Sequence, residues 1–208
     1  MKNVGRARKA DLTKFLTLCL IAVGVGFLSS TWLSAMQGQN EQSNLVTHIG
    51  PPNSPIEIPS IDVKGKSIKL GEKFDGREDW LNGLSLKIKN VSDKVVVYVG
   101  LYLDFPETKA TGNIMSFPLS FGQNPISPMI SGESQRLLPN EIVSLSLSAQ
   151  EYTHLKNFIE RRQRFSNIRK ADVRLTIIAF EDGSVWSNGS WMRRDPDNPH
   201  RLIPIENQ

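Results

Sequence analysis

Strict alternation of apolar and polar side chains constrains this 208-residue chain more than any other feature. Leu84, Leu86 and Ile88 are interleaved with Ser85, Lys87 and Lys89, and after Asn90-Val91-Ser92-Asp93 the series resumes at Val95, Val97, Val99, Leu101 and Leu103. A period of two suits a pleated strand, whose side chains point to opposite faces, and does not suit a helix. The facing set Val96, Tyr98, Gly100, Tyr102 and Asp104 is itself partly apolar, which predicts a central strand covered on both faces. The two runs are expected to pair as a hairpin. Ile142 to Leu147 and Val173 to Ala179 repeat the alternation, and shorter strands are expected around Ile68, from Met115 to Phe121 and from Val185 to Met192.

One segment follows a helical rhythm instead. Tyr152, Leu155, Phe158 and Ile159 fall on one helical face, Ser148 and Glu151 have the spacing of a capping box, and the segment reads as a single connecting helix. The cations Arg161, Arg162, Arg164, Arg169 and Lys170 follow it, where they complement the helix dipole. Between Pro106 and Gly132 four prolines and three glycines predict mostly loop. About seven short strands with no strand-helix-strand alternation predict an all-β fold, an immunoglobulin-like β-sandwich.

The front of the chain is different in kind. Lys2, Arg6, Arg8 and Lys9 precede an apolar run from Phe15 to Leu28, and the uncharged stretch continues to Ala35. A cationic tip followed by such a run predicts export, with residues 1–35 acting either as a cleaved signal peptide or as an N-terminal membrane helix. The positive-inside bias leaves the rest of the chain extracytoplasmic in both cases, secreted or periplasmic, with residues 15–35 as the anchor if uncleaved. Residues 36–55, polar and broken by prolines, read as a linker, and residues 56–208 as the β-sandwich domain. Cys19, the single cysteine, lies in the apolar run, so no disulfide can staple the domain.

Charge and motif content exclude several function classes. The leader holds five of the 25 basic and one of the 21 acidic side chains, so the net charge of +4 belongs to it and the remainder carries 20 of each sign. A neutral domain has no electrostatic footprint for nucleic acid. His48, His154 and His200 are isolated, and Ser187 has Val185 where a nucleophile elbow needs glycine. Asp195-Pro196-Asp197-Asn198 with Glu206 copies the ends of a calcium loop, but Pro199 and His200 occupy positions that need a ligand and a glycine. No catalytic residue, metal or cofactor is expected, and the domain is not expected to be an enzyme.

Aromatic side chains are the remaining candidates. Asp182-Gly183 and Asn188-Gly189 are type I′ hairpin dipeptides, and a two-residue loop at the second would set Trp186 opposite Trp191. A second reading makes Ser184 to Arg194 one strand bulged at Gly189. Trp186 and Trp191, with Tyr98 and Tyr102 flanking Gly100, form either an aromatic surface for a protein or glycan partner or the packing of their own core. The Asp182 to Trp186 turn and strand, Arg193 to Pro196 and the closing Leu202 to Ile205 resemble the ending of uncharacterised secreted bacterial proteins with an immunoglobulin-like domain. The segments Lys89 to Val95 and Leu138 to Glu141 are similar to turns of the same domains. That resemblance implies an extracytoplasmic β-sandwich and brings no activity with it.

Overall fold

The computed structural model describes residues 43–125, 134–163, 167–198 and 201–205. The basic apolar leader, residues 36–42 of the expected linker, Arg164 and His200 lie outside the described residues. From Ser43 onward the chain forms one unit. Its strands are β1 (Ser43–Ile49), β2 (Ile56–Val63), β3 (Lys66–Ile68), β4 (Lys73–Asp75), β5 (Leu84–Asn90), β6 (Val96–Phe105), β7 (Met115–Gly122), β8 (Ile142–Ser146), β9 (Lys170–Phe180), β10 (Ser184–Ser187), β11 (Ser190–Arg194) and β12 (Leu202–Pro204). These twelve exceed the expected seven because β4 and β12, of three residues each, are too short to display a period, the Asn188-Gly189 turn divides the last expected run into β10 and β11, and β1 and β2 fall where the sequence is polar or broken by proline.

β9 is the axis of the larger, eight-stranded sheet. One side pairs antiparallel with β6, which pairs in turn with β7. On the other side the first half of β9 runs parallel to β1, and its second half pairs with β10, extended by β11 and β12. The smaller sheet is antiparallel throughout, in the order β3-β2-β5-β8. Both sheets contribute to one core: Ile56, Ile61, Leu84, Leu86 and Ile88 from the smaller, and Val99, Leu101, Leu103, Val173 and Leu175 from the larger. With no disulfide available, this apolar burial is what offsets the entropy of ordering the chain.

Two expectations about the chain path are corrected. The stretch expected to be linker contains β1, whose Val46 and Asn44 are buried. This strand pairs with β4 on one side and on the other with β9, more than a hundred residues away, and no local pattern reports so distant a pairing. The expected hairpin does not form either, since β5 belongs to the smaller sheet and β6 to the larger. The buried Asn90 amide donates to the carbonyls of Lys94 (2.8 Å) and Leu137 (3.0 Å), while its oxygen accepts from the Ser92 N–H (3.0 Å) and hydroxyl (2.6 Å). These bonds hold the chain in an arch that crosses from one sheet to the other, where a tight turn would have kept both strands in one.

The helix α1 (Ala149–Phe158) begins as expected. The Ser148 hydroxyl accepts from the Glu151 N–H (3.2 Å), and the Glu151 carboxylate accepts from the Ser148 N–H (2.8 Å). Leu155 and Ile159 are buried, but Phe158 is 47% exposed, because the covered stripe is narrower than the four apolar positions. The dipole reading of the cations does not extend to Arg169 and Lys170. Arg169 donates to Asn44 Oδ1 (3.3 Å) and the Gly76 carbonyl (3.4 Å), and Lys170 opens β9 and pairs with Asp172 at 3.2 Å.

Candidate functional site

Trp186 stands directly opposite Trp191, and the loop between them has Asn188 at φ 47° and Gly189 at φ 93°, the positive values of a two-residue type I′ turn. The single bulged strand is therefore ruled out. Asp182-Gly183 is a different turn. Only Gly183 has positive φ, at 84°, and its N–H donates to the Phe180 carbonyl at 3.0 Å, so the loop is a three-residue type I turn closed by glycine. Asp182 Oδ1 accepts from the Ser184 N–H (2.9 Å) and hydroxyl (2.5 Å) and fixes its exit.

The four candidate aromatics do not share a surface. Trp186 is 2% exposed and belongs to the core. Trp191, opposite it on the same face, is half-buried, with its ring 5.3 Å from that of Phe180 and Lys94 Nζ 5.2 Å from its centroid. Tyr98 and Tyr102 alternate with the core residues Val99, Leu101 and Leu103 and so point to the outer face of the larger sheet. Tyr98 lies along its own strand over Gly100, where a Cβ would come within 3.1 Å of the ring carbon Cε1. It is 6% exposed, and burial pushes its phenol up. Gly100 thus creates the slot that hides Tyr98, and only Tyr102 and Trp191 keep accessible area, on opposite faces of one sheet.

The outer face carries what the aromatic reading missed. Strand register sets Ser116, Asp104, Asp172 and Thr47 in one row across β7, β6, β9 and β1, and Pro118, Tyr102, Arg174 and Ile49 in the next. Arg174 donates to both oxygens of Asp104, at 2.6 and 3.0 Å, and the Ser116 hydroxyl donates to Oδ1 at 2.5 Å. Burial acts to raise the Asp104 carboxyl, but the hydrogen bonds from Arg174 and Ser116 outweigh it and hold the group below the usual carboxylate range. The same pairing raises Arg174, whose guanidinium lies 5.1 Å from the Tyr102 ring centroid. Asp172 accepts from the Thr47 hydroxyl and pairs with Lys170. Carboxylates near the ends of apolar strands were the available signal, and Asp104 and Asp172 are two of them.

A carboxylate clamped bidentately by arginine is a poor general base near neutral pH, because it is already saturated with strong donors. What the face presents is a planar cation held on an aromatic ring, flanked by the exposed Pro118 and by Ile49, which is 49% exposed. The other residues considered for chemistry have local duties. Asp195 Oδ1 accepts from the Asp197 N–H (3.0 Å) within the turn that joins β11 to β12. Partial burial lowers His48 from its ordinary value, and His154 is exposed on α1. Among the described residues no three histidine, cysteine or acidic side chains converge as metal ligands. No described helix is long and apolar enough to cross a membrane.

Fold and face together define a class: a disulfide-free, two-sheet β domain with a rigid polar and aromatic outer face. Comparison with protein-family models, curated proteins and solved structures finds no match of any of the three kinds.

Proposed function

We propose that this chain is a non-catalytic extracytoplasmic interaction module, an immunoglobulin-like sandwich that binds a protein or glycan partner through the row Pro118, Tyr102, Arg174 and Ile49. The carrying observation is the Arg174 guanidinium held on Tyr102 by Asp104. Tyrosine and arginine dominate binding energy at interfaces, and a side chain already ordered in the free protein loses less entropy when a partner docks. The four residues sit on four hydrogen-bonded strands, so their spacing is as rigid as the sheet. Export rests on the cationic and apolar leader, with residues 1–35 removed as a signal peptide or residues 15–35 retained as an anchor. In the retained form the module would serve as an envelope-bound assembly component.

Protein and glycan arrays probed with the wild-type chain and with Tyr102→Ala test the reading. Loss of the wild-type signals with the melting temperature kept within a few degrees is the expected result. A wild-type chain that recognises nothing on either array, or a variant with an unaltered profile, overturns the assignment of this row. Cell fractionation and N-terminal sequencing of the mature protein decide between the secreted and anchored forms.

A further inference from the structure

We propose that β8 is a self-association edge, through which two copies of this chain join their smaller sheets into one. Sheet edges that stay unpaired are normally blunted by proline, charge or brevity. β7 contains Pro118 and β12 contains Pro204, while β3 and β4 are three residues long and carry Lys66 and Lys73. β8 has none of these protections. Its sequence is Ile-Val-Ser-Leu-Ser, five residues without charge, proline or glycine, and among the described residues its only strand partner is β5.

The backbone shows which groups are offered. Glu141 accepts from the Asn90 N–H and the Leu147 N–H donates to Leu84, so alternation along the ladder turns Val143 and Leu145 toward β5 as well. Ile142, Ser144 and Ser146 therefore direct their N–H and C=O groups away from the sheet. An antiparallel copy centred on Ser144 sets Ser144 against Ser144 and Ile142 against Ser146, which pairs all of these groups in about six hydrogen bonds. The same register lays Val143 beside the second copy's Leu145 on the core-facing side. No charge on β8 meets a like charge across the two-fold axis, and Ile142, 51% exposed, gains cover. The strand is thus complementary to itself in backbone and in side-chain character, which is what a two-fold interface demands.

Cysteine cross-linking of the full-length chain tests the register. With Cys19→Ser as background, Ser144→Cys places two thiols on directly opposed residues, about 5.5 Å apart at Cα, a spacing that a disulfide accepts. Under a mild oxidant it is expected to give covalent dimer about tenfold faster than Glu57→Cys, an exposed position on β2, separated from β8 by β5. Mixed Ile142→Cys and Ser146→Cys chains are expected to cross-link to each other faster than either does to itself, a second readout should Ser144→Cys fold poorly. Dimer formation from Ser144→Cys no faster than from Glu57→Cys, in chains with native melting temperatures, overturns the proposal. Capture of a foreign protein at position 144 in place of a second copy overturns it equally.

Discussion

The Trp80 indole donates to the backbone carbonyl of Ile168 at 2.7 Å, joining segments 88 residues apart at the point where the chain enters β9. Trp80 is fully buried, and Phe74 stands edge-on to it with ring centroids 5.4 Å apart at 77°. Trp80→Phe removes the donor and part of the ring, leaving a buried carbonyl unpaired beside a void. The expected cost is about 2–4 kcal/mol. Urea denaturation should show a lower midpoint with an unchanged slope, and a loss below about 1 kcal/mol would mean that water re-satisfies the carbonyl.

Gly122 and Gly183 both have positive φ, at 71° and 84°, yet substitution should separate them sharply. A Cβ on Gly122 would lie 2.1 Å from the carbonyl oxygen of Val97, at the irregularity in β6, whereas one on Gly183 would have no neighbour within 4 Å. Gly183→Ala meets only the backbone preference and is expected to cost about 1 kcal/mol. Gly122→Ala must displace a backbone and is expected to cost more than about 3 kcal/mol, read as loss of soluble protein or a collapsed melting temperature. Equal behaviour of the two variants would refute the close approach.

Asp182 supplies a pH dependence. Burial acts to raise its carboxyl, but hydrogen bonds from Lys94 and Ser184 outweigh that and bring it down to about 2 from the ordinary 3.8. A carboxyl depressed by folding stabilises the protein above its unfolded value, and the contribution disappears as pH falls through the folded one. The side chain is half exposed, so solvent screening keeps the contribution small. Asp182→Asn should therefore lower the urea midpoint at pH 7, and the gap to wild type should close between about pH 4 and pH 2. A gap that persists unchanged at pH 2 would assign the effect to the turn and not to the charge.

Local patterns made part of this molecule legible in advance. Alternation located β5, β6, β8 and β9, the Ser148 and Glu151 spacing located the start of α1, and Asn188-Gly189 located the turn that opposes Trp186 and Trp191. Each reports on residues within a few positions of one another. The arch at Asn90 escaped because the sequence there is equally compatible with a hairpin, and the deciding acceptor, the Leu137 carbonyl, lies 47 residues away. β1 escaped because polar residues dominate its surroundings and its partners, β4 and β9, are distant in sequence. The outer-face row escaped for the same reason, since Pro118, Tyr102, Arg174 and Ile49 are neighbours only through register.

The linear order of side chains was enough to specify strands over helices, one capped helix and a turn whose positive φ values demand Asn-Gly, because each depends on interactions a few residues long. Which strands share a sheet, which face hides Tyr98 and exposes Tyr102, and which carboxylate clamps Arg174 followed only from three-dimensional pairing. Those outcomes depend on contacts between segments tens of residues apart, whose formation rests on the whole core closing at once.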